Sequence, residues 1–386
     1  MTTSLPQIPG HNLLTNSRLS CRRRCARQHL YRYEMGIRKN GDAKPLRLGG
    51  AVHKGLEALA QYGPGLDFVS TATQCYEELP DWANTDEGVQ AWLIERETVA
   101  RMLAGYHWYW SQQTEPTVTV AEYVAVELAF ELPIRNPDTG KATNAFKVGG
   151  KIDAIVKLND GRMAVMEHKT TSDDIDAGAV YWQRLTIDDQ ISLYYVAARE
   201  LGYDVQTVLY DVLAKPTIRP KAVPILDPAG MKIVVSNAML GSLPSCQPLD
   251  MKTALRCRVE NKNGTPKQTP ADDSQFTWTR LETPAEWGER FAADIVADPT
   301  RYFARRDIPR LESDLDEFKR SLWDTQQEIR QSQLKGWHQR NTNACVQYST
   351  PCEYLSLCHN GIDPNNIPSG FARVETLHPE LQGEAE

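Results

Sequence analysis

The fold of this chain is constrained most by a hairpin signal near the middle of the sequence. An Asn-Asp-Gly turn at 159–161 separates two strand-like runs, 148–158 and 162–170, and this pattern predicts a β-hairpin. If the loop consists of the three turn residues, paired positions sum to 320, so Asp153 directly faces Glu167. The hairpin therefore brings two carboxylates together.

Lys169 adds a third charged group to this pair, because it follows Glu167 by two residues and lies on the same face. Facing side chains are about 5 Å apart at Cβ, and two carboxylates that close repel unless one is protonated or a cation lies between them. A hard divalent cation would remove the repulsion. Lys169 could then orient or deprotonate a water, or stabilise developing negative charge.

Two alternatives to this metal site remain open from the hairpin alone. Lys169 could simply neutralise one carboxylate in a surface cluster, which is common on hairpins. A two-residue Asp-Gly loop would shift the register and separate Asp153 from Glu167.

Helical patterns on both sides of the hairpin make the chain an α/β protein. We expect one elaborated domain over 13–372, after an irregular lead-in at 1–12. Its parts are a core over about 48–215, an insertion over about 215–285, a helical and cysteine-rich part over 286–360 and an acidic, disordered tail at 373–386. The predicted helices cover 13–38, 48–62, 86–113, 187–201 and 286–335, and further strands cover 118–128 and 205–213.

Charge and composition exclude several classes of protein. The 43 basic and 50 acidic residues give a net charge of −7, which is unlike a uniformly basic nucleic-acid binder. No apolar run reaches about 18 residues, so no transmembrane helix is expected. The N-terminus has no secretory signal pattern, which favours a cytoplasmic location. The sequence has no phosphate-binding loop of the P-loop type.

Basic residues nevertheless cluster in two places. Six arginines and no acid lie between Arg18 and Arg32, and a second group spans Arg301–Arg310. Such patches fit a groove that faces phosphates, although two solvated helix faces explain them equally well.

The eight cysteines are unevenly spaced. Cys345, Cys352 and Cys358 crowd together, and Cys21 and Cys25 lie near the N-terminus. This clustering in a presumed reducing compartment points to a metal or cluster site, and either zinc or an iron–sulfur cluster suits four thiolates. We assign the remaining cysteines to packing of the core or insertion: Cys75, Cys246 and Cys257.

Taken in order, four motifs resemble the PD-(D/E)xK nuclease superfamily in its RecB-like branch. They are Gly49-Gly50-Ala51-Val52-His53, Gly149-Gly150-Lys151-Ile152-Asp153, Glu167-His168-Lys169 and Gln190-Ile191-Ser192-Leu193-Tyr194. The resemblance implies a restriction-endonuclease-like fold, in which helices flank a mixed central β-sheet.

The resemblance also implies roles for individual residues. Asp153 and Glu167 would hold Mg²⁺ or Mn²⁺ together with His53 and the backbone carbonyl of His168. Lys169 would position the attacking water. Gln190 and Tyr194 would in turn position the lysine, the metal-bound water or the DNA strand.

Some RecB-like nucleases carry one cysteine before the core and three after it, which together bind a [4Fe–4S] cluster. The matching residues here are Cys25, Cys345, Cys352 and Cys358. Cys21 is the other candidate for the first ligand, and Zn²⁺ is the alternative occupant. Such a site would join the two ends of the domain across the core.

The resemblance implies an exonuclease that acts on single-stranded or duplex DNA ends, in recombination, repair or phage DNA processing, in the cytoplasm of a bacterial or phage-infected cell. A helicase or recombination partner and an oligomer are both compatible with it. A non-catalytic, cluster-stabilised DNA-binding or partner subunit is one alternative, and a zinc-bound regulator with an incidental hairpin is the other. The arginines expected to bind phosphates without reading sequence are Arg22, Arg23, Arg27, Arg305 and Arg306.

Overall fold

The computed structural model describes residues 8–41, 44–226, 234–236, 275–277, 279–347, 349–361 and 366–381. A mixed six-stranded β-sheet with helices on both faces forms its centre, as expected for a restriction-endonuclease-like α/β fold.

The strands and helices are numbered here in chain order. The strands are β1 Leu13–Leu14, β2 Ile37–Lys39, β3 Val120–Arg135, β4 Ala142–Leu158, β5 Met163–Thr171, β6 Thr207–Ala214, β7 Ala222–Pro224, β8 Val234–Ser236, β9 Gln275–Thr277, β10 Thr279–Leu281, β11 Phe303–Ile308, β12 Val346–Gln347, β13 Thr350–Pro351 and β14 Phe371–Arg373. The helices are α1 Asn16–Arg24, α2 Ala26–His29, α3 Lys44–Tyr62, α4 Phe68–Thr73, α5 Asp86–Trp110, α6 Val180–Leu185, α7 Asp189–Glu200, α8 Pro284–Ala297, α9 Glu312–Lys335 and α10 Leu355–Asn360.

The central sheet has the order β1-β4-β5-β6-β11, and β3 pairs with the other edge of β4. The pairs β3–β4, β4–β5 and β6–β11 are antiparallel, whereas β5–β6 and β1–β4 are parallel. The hairpin register is the predicted one, because Ala154 pairs with Met166 and Lys157 with Met163.

A fork in the sheet lies at the end of this hairpin. The ladder between β4 and β5 stops at Ala154, and β1 joins the same edge of β4 only at Val148. Among the described residues, positions 149–152 of β4 therefore have ladder partners in β3 alone, and Asp153 has no ladder partner. The fork leaves room for side chains and main-chain groups to converge beside Asp153.

Two apolar cores cover the two faces of the sheet, since alternate residues of β6 point to opposite sides. Val212 belongs to the core that includes α7 and α9, and Leu213 belongs to the core that includes α3, α5 and α8. Burial of these faces supplies the main favourable term in folding.

Two of the predicted helices are divided in the structure. The segment 13–38 contains β1, α1, α2, a π-helical turn and β2, and the break lies at Cys25, whose φ of −164° is extended. The segment 286–335 is not wholly helical, because β11 lies between α8 and α9. The charged residues Arg305–Asp307 interrupt the apolar pattern by which a strand is recognised in a sequence, so β11 was not predicted.

The C-terminal segment is packed beyond residue 372. β14 pairs with β2, and both Leu377 and His378 are buried, so the expectation of disorder is wrong for 373–381. Residues 382–386 lie outside the described residues.

Most of the expected insertion at 215–285 also lies outside the described residues, as do Cys246 and Cys257. In its described parts, β7 pairs with β10 and β8 with β9. Across the described ranges, every helix is too short or too polar to cross a membrane.

Candidate active site

The two predicted acidic residues meet at the fork between β4 and β5. Asp153 immediately precedes the last ladder pair, and Glu167 immediately follows it. The backbone N–H of His168 donates a hydrogen bond to Oδ2 of Asp153 at 2.8 Å. Glu167 is 3% exposed and the Asp153 side chain 13%, so neither carboxylate is freely hydrated.

Helix α7 brings two further predicted residues to the same place. The Lys169 ammonium donates to Oε1 of Glu167 and, at 3.0 Å, to Oε1 of Gln190. The Gln190 amide nitrogen donates to Oε1 of Glu167 at 2.9 Å and to the Tyr194 hydroxyl at 3.1 Å. Asp188 caps the start of α7 by accepting from the Gln190 N–H at 2.7 Å, which fixes the first turn.

The electrostatics of the two carboxylates are unfavourable without a cation. Burial, and next the charge of Asp153, raises the pKa of Glu167 to about 7. Burial also raises the pKa of Asp153, although the His168 N–H and the Lys169 charge oppose the shift. Oε2 of Glu167 is buried and has no hydrogen-bond partner among the described residues. A buried acceptor without a donor is costly, and a cation would satisfy it.

Lys169 stays charged in this setting. Burial alone would lower its pKa, but Glu167 and then Asp153 raise it above the usual lysine value. A charged amine between a carboxylate and an amide is held as a fixed positive group rather than as a proton acceptor.

Helix α3 brings His53 to the other side of Asp153. Nδ1 of His53 lies 3.8 Å from Oδ2 of Asp153. Burial, and next the neighbouring His168, lowers the pKa of His53 to about 4, although solvent reaches 35% of its side chain. A neutral imidazole is the form that binds metal ions. A Cβ on Gly49 would lie 3.1 Å from Oγ1 of Thr170, so this glycine permits the close approach of α3 to β5.

These groups fit a divalent cation. Asp153 and Glu167 supply two carboxylates, and His53 supplies an imidazole nearby. Within the described ranges, no three His, Cys, Asp or Glu side chains already form a group that could hold a metal ion. A cation here would therefore complete its shell with main-chain carbonyls and water, as Mg²⁺ usually does.

Comparison with known families decides the relationship. A family model of the PD-(D/E)XK nuclease superfamily matches residues 14–359. The chain belongs to this superfamily. Superfamily members are generally phosphodiester hydrolases that use Mg²⁺ or Mn²⁺.

Other comparisons are less informative. No curated protein matches the chain. One matching solved structure, the crystal structure of SSO0001, is 11% identical with a TM-score of 0.20. The match covers 54% of this chain and 65% of the matched chain. This chain therefore spans just under two thirds of the length of the protein that it matches.

A buried charged network lies behind the PD-(D/E)XK centre, and sequence reasoning missed it. Nδ1 of His168 lies 2.7 Å from Oδ2 of Asp211, which also accepts from the Tyr106 hydroxyl at 2.5 Å. Oδ1 of Asp211 accepts from Nε of Arg305 at 2.9 Å. The available signal was Asp211 itself, an acid within β6, whose eight residues are all buried.

This network corrects the expectation for Arg305. Its guanidinium is buried on Asp211, Tyr106 and the Trp110 ring, so it cannot bind a DNA phosphate. Arg306, the next residue of β11, points the other way. Its guanidinium lies 4.3 Å from the Trp182 ring centroid and donates to the Ala177 carbonyl at 2.6 Å.

The N-terminal arginines lie against α9 and the segment after it. Arg22 contacts Glu328, Arg23 contacts Thr325 and Asp189, and Arg27 donates to the His338 carbonyl at 3.0 Å. Arg23 links this region to the candidate active site, because Asp189 directly precedes Gln190 in α7.

All four predicted cluster cysteines line one small cavity. Each is half-buried. Cys21 does not line the cavity, and burial raises the pKa of its thiol to about 12, which disfavours the thiolate that metals bind. Among the described residues, however, the four sulfurs are not arranged as a metal-holding group. The cavity cysteines are Cys25, Cys345, Cys352 and Cys358.

Proposed function

We propose that this protein is a metal-dependent DNA exonuclease of the RecB-like type, with its centre at Asp153, Glu167 and Lys169. The observation that carries the proposal is the buried, unpartnered Oε2 of Glu167 beside a second buried carboxylate. A purely structural ion cluster does not explain this pair, because every buried acceptor in such a cluster is expected to have a donor.

Asp153 and Glu167 would hold the cation, together with the His168 carbonyl and His53. Bound Mg²⁺ or Mn²⁺ would polarise the scissile phosphate and lower the pKa of a coordinated water. The His168 N–H fixes the rotation of the Asp153 carboxylate through its 2.8 Å hydrogen bond. This fixed carboxylate reduces the reorganisation that the centre needs when substrate binds.

Lys169 acts in this scheme as a positive group that orients the attacking water and stabilises negative charge on the phosphate. Its raised pKa argues against deprotonation of the water by this amine. Gln190 holds the Lys169 ammonium from α7, and Tyr194 holds Gln190 in turn. Both α7 residues therefore position the lysine rather than contact the cation.

The cysteine cavity supports a second part of the proposal, a [4Fe–4S] cluster that joins α2 to the C-terminal loop, with zinc as the competing occupant. The three C-terminal cysteines and Cys25 come together although more than 300 residues separate them. Contacts such as the Asn341 N–H on Sγ of Cys25, at 3.5 Å, already connect the two segments.

A role in recombination, repair or phage DNA processing, with a helicase or recombination partner, is the biological setting that we propose.

Action at DNA ends is the part of the proposed function that an experiment can test directly. Linear duplex, linear single-stranded and covalently closed circular DNA are incubated with Mg²⁺ or Mn²⁺ and with EDTA. We expect loss of the linear forms only, and none with EDTA or with Glu167→Gln. Equal cleavage of the circle would contradict exonuclease action.

A further inference from the structure

A basic cavity of about 380 Å³ lies between the C-terminal ends of α1 and α9. This volume is within the range of small-ligand sites. One acid, Glu328, faces five cationic side chains. The five are Arg22, Arg23, Arg24, Lys335 and Arg340.

The cavity carries more positive charge than the negative ends of the two helices would balance. Each helix C-terminus carries the equivalent of about half a negative charge, so the two ends, Glu328 and the Asp189 that pairs with Arg23 offset roughly three of the five cations. The cavity therefore attracts an anion.

Arg22, one of the lining residues, has a guanidinium N–H that no acceptor satisfies among the described residues. Its side chain is only 9% exposed, and its Nη1 is buried without a hydrogen-bond partner among the described residues. Nη2 donates to the Glu328 carbonyl at 3.2 Å. A buried guanidinium N–H without an acceptor is costly, and a phosphate oxygen is a strong acceptor with the geometry that arginine prefers.

The cavity also has an aromatic wall. Trp337 lines it and is 65% exposed. Gly336, with a φ of +60°, ends α9 in the left-handed conformation and sets where the indole lies. An exposed indole beside cations is the arrangement on which a nucleic-acid base stacks while its phosphate is bound.

The cavity connects with the active site through one side chain. Arg23 lines the cavity and its guanidinium contacts Asp189, the residue before Gln190, which holds Lys169 and Glu167. The cavity and the candidate active site are therefore linked through contacts of Arg23 with helix α7.

We propose that this cavity binds one nucleotide of single-stranded DNA outside the cleavage centre, with its phosphate on the arginines and its base on Trp337. The inference deepens the proposed nuclease function and rests on it for the identity of the polymer. Single strands are favoured because bases of a duplex are paired and stacked inside the helix and cannot reach a side-chain platform in a cavity.

Binding without cleavage tests this directly. Anisotropy of a labelled single-stranded oligonucleotide is measured in EDTA with wild type, Trp337→Ala, and the double variant Arg24→Gln/Lys335→Gln, both of whose sites are exposed. Loss of one stacked base corresponds to roughly 5- to 150-fold weaker binding for Trp337→Ala. Removal of two phosphate-facing cations should lower the salt slope by about 1.4.

A charge-matched control uses the same helix. Lys319→Gln/Arg320→Gln removes two exposed cations of α9 that do not line the cavity, and it should bind as wild type does. Equal binding by all variants would overturn the cavity proposal. Competition by free thymidine monophosphate at the same concentration as the oligonucleotide would overturn strand binding in favour of a mononucleotide site.

The nuclease assay separates the two proposals. If the cavity variants bind as wild type does while wild type still cleaves DNA, the cavity proposal fails and the proposed function stands. If wild type binds the oligonucleotide through the cavity but never cleaves, the proposed function fails and the cavity stands. Thermal unfolding of Trp337→Ala shows that any loss of binding is not loss of fold.

Discussion

His168 donates its backbone N–H to Oδ2 of Asp153 at 2.8 Å, across the fork between β4 and β5. The imidazole of the same residue is held on the opposite side by Asp211. One residue therefore connects a buried charged network to a carboxylate of the active site. The position of the Asp153 carboxylate therefore depends on groups that are buried behind it.

Asp211→Asn should destabilise the protein strongly. The charge of Arg305, followed by the His168 contact, overcomes the effect of burial and lowers the pKa of Asp211 to about 2, so the residue is ionised at neutral pH. Removing one partner of a buried ion pair costs about 3–5 kcal/mol. Urea unfolding at pH 7 measures this loss.

Asp138→Asn is the matched control for this experiment, because Asp138 pairs with Arg320 on the surface. The Asp138→Asn variant should lose less than about 1 kcal/mol of unfolding free energy. Similar unfolding free energies for the two variants would show that the Asp211 network does not stabilise the fold.

Acidification should destabilise the protein through His29. The residue is fully buried, and its Nε2 accepts from Nε of Arg18 at 3.1 Å. Burial, and next Arg18, lowers the pKa of His29 well below its usual 6.5. On acidification, the unfolded chain therefore binds a proton at His29 before the folded protein does. The contribution of neutral His29 to the free energy of unfolding is complete above pH 6.5 and falls by up to about 1.4 kcal/mol per pH unit below it.

His29→Gln should show a smaller loss of unfolding free energy between pH 7.5 and 5.5 than wild type. The exposed His359→Gln should keep the wild-type dependence. An identical pH dependence in His29→Gln and wild type would exclude His29 as the source of acid sensitivity.

The cysteine site should give the protein a visible colour. Protein purified without oxygen should be brown with broad visible absorbance, and Cys345→Ser should lose the colour and unfold at a lower temperature. Cys75→Ser, at an exposed position away from the cavity, should keep both properties. A colourless wild type that contains zinc would replace the iron–sulfur proposal by a zinc site.

The hairpin could be predicted from the sequence because its determinants are local. The Asn-Asp-Gly turn limits the loop to two or three residues, and the loop length determines which residues face each other. The pairing of Ala154 with Met166 confirms that register. Gln190 and Tyr194 were also predictable, since their spacing of four places both on one face of a helix.

Strand β11 could not be predicted because its determinant is distant in sequence. Arg305 is a plausible surface residue until Asp211, 94 positions earlier, is found beside it. The break at Cys25 was missed for a similar reason. That residue leaves the helical conformation where the chain meets the segment after α9, as in the Arg27 N–H bond to the Gln339 carbonyl at 3.1 Å.

Cleavage of end-labelled linear DNA by wild type and by Lys169→Met tests the account most directly. The variant keeps the aliphatic stem of the lysine but removes its charge. With Mn²⁺ or Mg²⁺ we predict cleavage by wild type and, by analogy with loss of one electrostatic stabiliser, roughly 10²- to 10³-fold slower cleavage by the variant. Binding of DNA in EDTA should be equal. Equal cleavage rates, or no cleavage by folded wild type that binds DNA, would contradict the account.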